Sequence, residues 1–309
     1  MSAAFHTAKI WLSAMRPKTL GASLAPCFIG TAMAWRDAMP ILGIGVDEQP
    51  AFPWNFAVAA LVGAMLLQIL SNFANDYFDA ARGADGPTRL GPTRAVASGL
   101  IAPAAMKVAM LVTLLLAVVP IAYLTRMQGV EFAWIGACGA VLAVLYTGGR
   151  YPLAYVGLGD VFVFLCFGPL ATAGIYAAIL GEWRLAPCII GIAPGALSVA
   201  LLATNNLRDI DQDRAVGKRT LAVRLGAKFT RLEIVACWAI ATALPFATWL
   251  LADAPGGALA GSTISLVSIP AVVMVARGDR GVALNGVLAG FGVQLYLLGI
   301  ALAFGWALT

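Results

Sequence analysis

Near the end of a long apolar stretch, Asp76 and Asp79 stand three residues apart and Asn72 and Asp76 four apart, so on a helix all three project from one face. Asn75 and Asp79 make a further four-residue pair. Carboxylates on neighbouring turns repel each other, and holding them near hydrocarbon costs on the order of several kcal/mol unless something positive binds between them. A second cluster repeats the pattern. In NNLRDIDQDRAVGKRTLAVRLG, residues 205–226, Asp209 and Asp213 are four apart and share a face with Asn206. Asp211 points about 200° away from Asp209 on a continuous helix. Cations and glycines follow each cluster: Arg82, Arg89 and Arg94 among Gly83, Gly86, Gly91 and Gly99, then Arg214, Lys218 and Arg219 around Gly217. Oxygen ligands without imidazole or thiolate select Mg²⁺ or Mn²⁺, and such an ion bridges carboxylate to phosphate oxygens while Arg and Lys neutralise the remainder. The chemistry these residues suit is that of a diphosphate group.

The elements that carry them are helices in a membrane. Of 309 residues, 61% are hydrophobic and 11% charged, and the mean hydropathy is +0.88. Apolar runs long enough to cross hydrocarbon as helix recur, whereas alternating barrel strands do not. The expected fold is an all-α integral membrane protein, a bundle of nine transmembrane helices around a central cavity opening near the cytoplasmic face. The spans fall at about 19–35, 56–76, 104–125, 132–148, 156–180, 187–207, 232–252, 259–276 and 282–304. Residues 1–309 form one domain, with an interfacial helix in 1–18, a loop over 36–55, and active-site loops at 77–103 and 208–231. With the N-terminus inside, 17 of the 20 Lys and Arg residues are cytoplasmic and only Arg36, Arg126 and Arg184 lie outside, which puts the C-terminus on the opposite side. The five cysteines lie singly within apolar spans, and His6 is the only histidine. That excludes a Ser-His-Asp triad and disfavours a zinc centre. The net charge of +5 reflects topology, with no nucleic-acid module and no obligate protein partner implied.

Several stretches together resemble the UbiA-type intramembrane prenyltransferase superfamily, whose members have nine transmembrane helices and two aspartate-rich motifs. They are RPKTL (16–20), NDYFDAARGAD (75–85), GPTRAVASGLI (91–101), YTGGRYPLAYVGLGD (146–160) and the 205–226 segment, and they are most similar to the menaquinone-pathway branch. The resemblance implies Asn75 and Asp79 as ligands in the first motif and Asp209 and Asp213 in the second, with Arg94 and Lys218 on the diphosphate. Many superfamily members place another Asp four residues after the position of Asp79. Here that position is Gly83, with Asp85 two further on as a further candidate ligand, a pattern the menaquinone branch shares.

The implied reaction transfers a polyprenyl group from an allylic polyprenyl diphosphate to 1,4-dihydroxy-2-naphthoate with loss of CO₂, in a cell membrane, the inner membrane where there are two. The donor tail lies among membrane lipid. In the 146–160 loop Arg150 is the candidate partner of the acceptor carboxylate, Tyr146, Tyr151 and Tyr155 are candidates to stack or hydrogen-bond, and Asp160, just inside a span, is costly without a task. Lys18 either reaches the site or anchors the first span. Other aromatic acceptors, such as 4-hydroxybenzoate or homogentisate, and a secondary transporter remain alternatives at this stage.

Overall fold

In the computed structural model, residues 3–41, 51–86, 90–252 and 254–309 are described, and among them the secondary structure is entirely helical. In chain order the helices are α1 (Ala3–Ala14), α2 (Gly21–Ile41), α3 (Trp54–Ala81), α4 (Pro103–Gln128), α5 (Glu131–Leu145), α6 (Gly159–Cys166), α7 (Pro169–Leu180), α8 (Leu185–Arg208), α9 (Ile210–Ala215), α10 (Leu221–Leu251), α11 (Leu259–Ser265), α12 (Ile269–Arg277) and α13 (Leu284–Leu308). Seven of the nine predicted spans are long and apolar enough to cross a membrane: α3, α4, the α6–α7 pair, α8, α10, the α11–α12 pair and α13. The chain is a multi-pass membrane protein. Exposed Val119, Trp134, Leu232 and Leu251 give it the apolar exterior that hydrocarbon demands.

Local chemistry sets the breaks. The predicted span 156–180 divides at Gly168, because Pro169 fixes its own φ and offers no N–H to the preceding turn. The break brings two helices into close contact. A Cβ on Gly168 would lie 2.7 Å from the Gly191 carbonyl oxygen and 2.7 Å from the Gly195 Cα of α8. The expected 36–55 loop is helical as far as Ile41, since its apolar residues continue α2; residues 42–50 lie outside the described set. The expected 208–231 loop is also mostly helix. The Asp213 amide donates to the Asp209 carbonyl at 2.8 Å, carrying a helical turn past the end of α8, and the Thr220 hydroxyl accepts from the Val223 amide at 3.3 Å to cap α10. Gly226, with φ 84°, then kinks α10 one turn in.

The core lies where α8 meets α2, α7, α10 and α13. Ala193, Ala196, Ala200 and Ala203 of α8 are buried, and Tyr176, Ile29, Ile234, Phe291 and Leu298 fill the space between helices. Small side chains let the helix axes approach closely, and the larger ones interdigitate around them. A satellite cluster of Ala14, Phe73, Ala95, Ile101 and Met106 fastens α1 and the 94–101 turns to α3. Both α3 and α8 therefore reach their polar ends with their flanks already fixed.

Gly195→Val should overpack the α6–α7–α8 junction, where an added Cβ would lie 2.7 Å from the Phe164 carbonyl oxygen. The expected cost is about 1–3 kcal/mol, read as a lower thermal transition in detergent. Gly286→Val, at a position with nothing within 4 Å of an added Cβ, should leave that transition in place.

Candidate functional site

The end of α3 carries two polar stripes. Asp79 faces the loop after α5, where its Oδ1 accepts from the Tyr155 hydroxyl at 2.9 Å. Asn75, one turn earlier, accepts from the Thr147 hydroxyl at 2.8 Å. Asp76 faces the other way: its two oxygens accept from the backbone amides of Val96 at 3.0 Å and Ala95 at 3.1 Å. Asn72 continues that stripe and donates to the Met15 carbonyl at 2.8 Å. Asp79 alone of these four points into a pocket shared with the second cluster.

The second cluster forms at the α8–α9 junction. Arg208, in the last turn of α8 and only 4% exposed, grips Asp209 with Nε to Oδ1 at 2.7 Å and Nη2 to Oδ2 at 2.6 Å. Its remaining donors reach Asn205 and, across to α13, Asn285, each at 2.8 Å. Asn285 in turn donates to the Leu90 carbonyl at 3.1 Å. The single turn linking Asp209 to Asp213 brings the second carboxylate round to the same side. Lys218 lies 3.4 Å from Asp213 Oδ1. The other oxygen of Asp213 is buried and has no hydrogen-bond partner among the described residues.

The pocket is lined by Asp79, Asp85, Asp209 and Asp213, with Arg94, Lys218, Asn205, Gln212 and Ala84. Arg94 lies 3.5 Å from Asp85. The pocket measures about 20 Å³, room for one water-sized occupant. No three His, Cys, Asp or Glu side chains among the described residues converge as a ready-made metal cage. The donor set nevertheless suits a hard divalent cation: four carboxylates and amide oxygens surround one space, and a buried carboxylate oxygen lacks a partner. Burial pushes Asp213 up to about 6, against the lowering pull of Lys218. For Lys218, burial favours the neutral amine, but the carboxylates of Asp213, Asp79 and Asp209 outweigh it and raise its pKa. Burial, and then the Asp79 charge, push the Tyr155 phenol upwards, so it stays protonated as a donor.

The remaining sequence candidates lie outside this pocket. Arg82 donates to the carbonyls of Thr147 and Gly149 and lies over the rings of Tyr155 and Phe78. It ties the 146–158 loop to α3. Asn206 is buried within α8, and Asn205 lines the pocket in its place. Arg150 is exposed, stacked on Tyr151 with its guanidinium 5.5 Å from the ring centre. Asp160, in the first turn of α6, is buried with Oδ1 lacking a hydrogen-bond partner among the described residues. The Tyr146 hydroxyl sits 3.1 Å from where a Cβ on neighbouring Gly159 would be. Asp211 is exposed and pairs with Arg214 at 3.1 Å. The Lys18 side chain and Arg89 lie outside the described residues. Arg208, Asn205, Gln212 and Asn285 are the participants the sequence reading did not single out as site residues. The available signal was an arginine in the last turn of an apolar helix, next to an aspartate.

Buried carboxylates from two membrane helices, balanced by cations from the loops that follow, define a polar site for an anionic headgroup within a helical membrane bundle. The chain belongs to the UbiA prenyltransferase family, whose family model matches residues 23–285. It is 42% identical over 224 residues to the 1,4-dihydroxy-2-naphthoate octaprenyltransferase of Escherichia coli (strain K12), covering 70% of this chain and 68% of that one. It is 36% identical over 300 residues to the protein of the same name from Mycobacterium tuberculosis, covering 95% of each. Among solved structures, a UbiA homolog from Archaeoglobus fulgidus bound to DMAPP and Mg²⁺ has a TM-score of 0.62 at 17% identity, covering 96% of this chain and 98% of that one. The apo UbiA homolog from Aeropyrum pernix K1 has a TM-score of 0.66 at 15% identity, covering 93% and 97%. The protein is thus an intramembrane prenyltransferase.

Asp76→Ala should act through the fold of the adjoining loop. Removing it strands two backbone N–H groups, at about 1–3 kcal/mol for each one left buried. Limited proteolysis should then cut within 91–101 faster than in the parent, while Asp79→Ala leaves the cutting rate there unchanged.

Proposed function

We propose that this chain transfers a polyprenyl group from an allylic polyprenyl diphosphate to 1,4-dihydroxy-2-naphthoate with loss of CO₂, giving demethylmenaquinol and diphosphate. The observation that carries the reading is the single pocket shared by Asp79, Asp85, Asp209 and Asp213 with Arg94 and Lys218. The acceptor rests on the relatives, two of which bear that activity in their names at 42% and 36% identity. In this reading residues 1–309 form one domain that crosses the membrane nine times, α2 and α5 supplying the two crossings beyond the seven apolar ones. The first segment lies at the interface, the N-terminus and the pocket face the cytoplasm, and the C-terminus lies opposite.

Asp79, Asp209 and Asp213, joined by Asp85, would hold Mg²⁺ or a similar ion; Asn75, expected as a ligand, is outside the pocket lining and its Oδ1 accepts from Thr147. That ion, when bound, supplies Lewis-acid charge to the leaving diphosphate. Arg94 and Lys218 exchange their carboxylate partners for diphosphate oxygens and neutralise charge as the allylic C–O bond breaks. Arg208 fixes the orientation of Asp209, and Tyr155 that of Asp79, so each carboxylate presents its remaining lone pairs to the pocket. The surrounding apolar helices exclude water from the electron-poor prenyl carbon until the aromatic ring attacks it. Arg150 meets the acceptor carboxylate, Tyr146 packs against the ring, and Asp160 takes a hydroxyl proton of the acceptor as the ring attacks and returns it as CO₂ leaves, so the quinol keeps both hydroxyls.

Membranes containing the protein, given labelled polyprenyl diphosphate and a panel of aromatic acceptors, should form product with 1,4-dihydroxy-2-naphthoate and lose it on chelation. Product with 4-hydroxybenzoate alone would overturn the acceptor assignment. Asp79→Ala and Asp209→Ala should each reduce turnover by about 10²-fold or more; the purified Asp79→Ala protein should keep its thermal transition, whereas Asp209→Ala should lower it because buried Arg208 loses its carboxylate. Mn²⁺ binding, followed by electron paramagnetic resonance, should weaken as pH falls through about 6 and protons compete for Asp213. A flat profile across that range would remove Asp213 from the ligand set.

A further inference from the structure

Arg208 and Gln212 form part of a wall with a second, larger cavity behind it. This cavity measures about 420 Å³, and its charged lining is Arg208, Arg214, Arg280 and Asp211. Arg208 is engaged by Asp209. Arg214 shares its charge with Asp211, but both partners are exposed, at 57% and 89%, and such a pair is worth little in water. Arg280, exposed at the turn that leads into α13, makes no ion pair with any described residue. Two arginines are therefore available to an anion across one opening, with a single rim carboxylate to oppose them.

The rest of the wall is apolar. Leu207, Ile210 and Ala227 line it, and they lie in the last turn of α8, at the start of α9 and just past the kink of α10, at the polar ends of two apolar spans. An arginine pair beside an aliphatic wall at that depth matches a phosphate that carries a hydrocarbon chain. Free phosphate would use the arginines and leave the aliphatic wall uncovered. A diphosphate substrate loaded with metal needs several carboxylates, and among the described lining residues Asp211 is the only one.

We infer that this cavity binds the headgroup of an anionic phospholipid, with its phosphate on Arg214 and Arg280 and its glycerol and first methylenes against the half-buried Ile210 and Ala227. Arg214, expected from its spacing to face the diphosphate, pairs instead with Asp211, and neither it nor Arg280 lines the pocket assigned to the prenyl diphosphate, so the inference stands apart from the proposed reaction.

Native mass spectrometry of the full chain in detergent, titrated with phosphatidylglycerol or phosphatidylcholine, tests it. The parent should favour phosphatidylglycerol, and Arg214→Ala with Arg280→Ala should remove about fivefold of that preference per arginine. Prenyl transfer in phosphatidylcholine should be the same in parent and double variant. A control pair at exposed cations elsewhere, Lys9→Ala with Lys107→Ala, should keep the preference. Equal binding of the two lipids by the parent overturns the inference, as does a loss of preference as large in the control pair as in the arginine pair. Millimolar inorganic phosphate should not displace phosphatidylglycerol; full displacement would reassign the cavity to free phosphate.

Discussion

Four carboxylates meet at the end of an apolar bundle, and much of the surrounding structure answers their mutual repulsion. Each partly desolvated anion costs several kcal/mol without compensation. Compensation comes in four forms: the fork of Arg208 on Asp209, the ammonium of Lys218 beside Asp213, the guanidinium of Arg94 beside Asp85, and the phenol of Tyr155 on Asp79. Only the first is a close bidentate pair. The ion pairs at 3.4 and 3.5 Å are looser, and in the proposed reaction they are the ones the diphosphate recruits.

The scaffold's task is to keep these groups together although they lie far apart in the chain. α3 delivers Asp79 and uses Asp76 to pin the Ala95 and Val96 amides, which holds the turns after Arg94 against the same helix. α8, the most enclosed of the seven apolar spans, ends on Arg208 and hands over to one further turn, so Asp209 and Asp213 are spaced by helix geometry across a break in the helix axis. Arg82 does for the 146–158 loop what Asp76 does for the 91–101 segment. One end of α3 thus organises two loops by opposite charges.

What the sequence made legible was whatever depends on local period and composition. Apolar runs of spanning length, the four-residue spacing of Asp209 and Asp213, and the outward direction of Asp211 all follow from helix geometry, and the structure agrees with each. Asp76 was misleading because its partners are backbone amides 19 and 20 residues away. A carboxylate aimed at amide groups has the same local signature as one aimed at a cation. Arg208 read as one more positive anchor at a span end, since nothing local tells a buried guanidinium from a solvated one. The break at Gly168 was written in Pro169, but hydropathy averaged over 156–180 hides it. The loop expected at 208–231 became mostly helix because capping and i to i+4 bonds such as Asp213 to Asp209 and Val216 to Gln212 outweigh a run of polar residues.

The link between Asn285, Arg208 and the Leu90 carbonyl joins residues 77 and 195 positions apart in the chain. Chain synthesis runs from the N-terminus, so both aspartate clusters enter the bilayer before the asparagine that braces them. Until the final helix is inserted, Arg208 lacks one acceptor and the Leu90 carbonyl lacks its donor. The pocket therefore matures after translation of its own acidic residues is complete, and a nascent chain stalled short of residue 285 holds its carboxylates without the brace that aligns them.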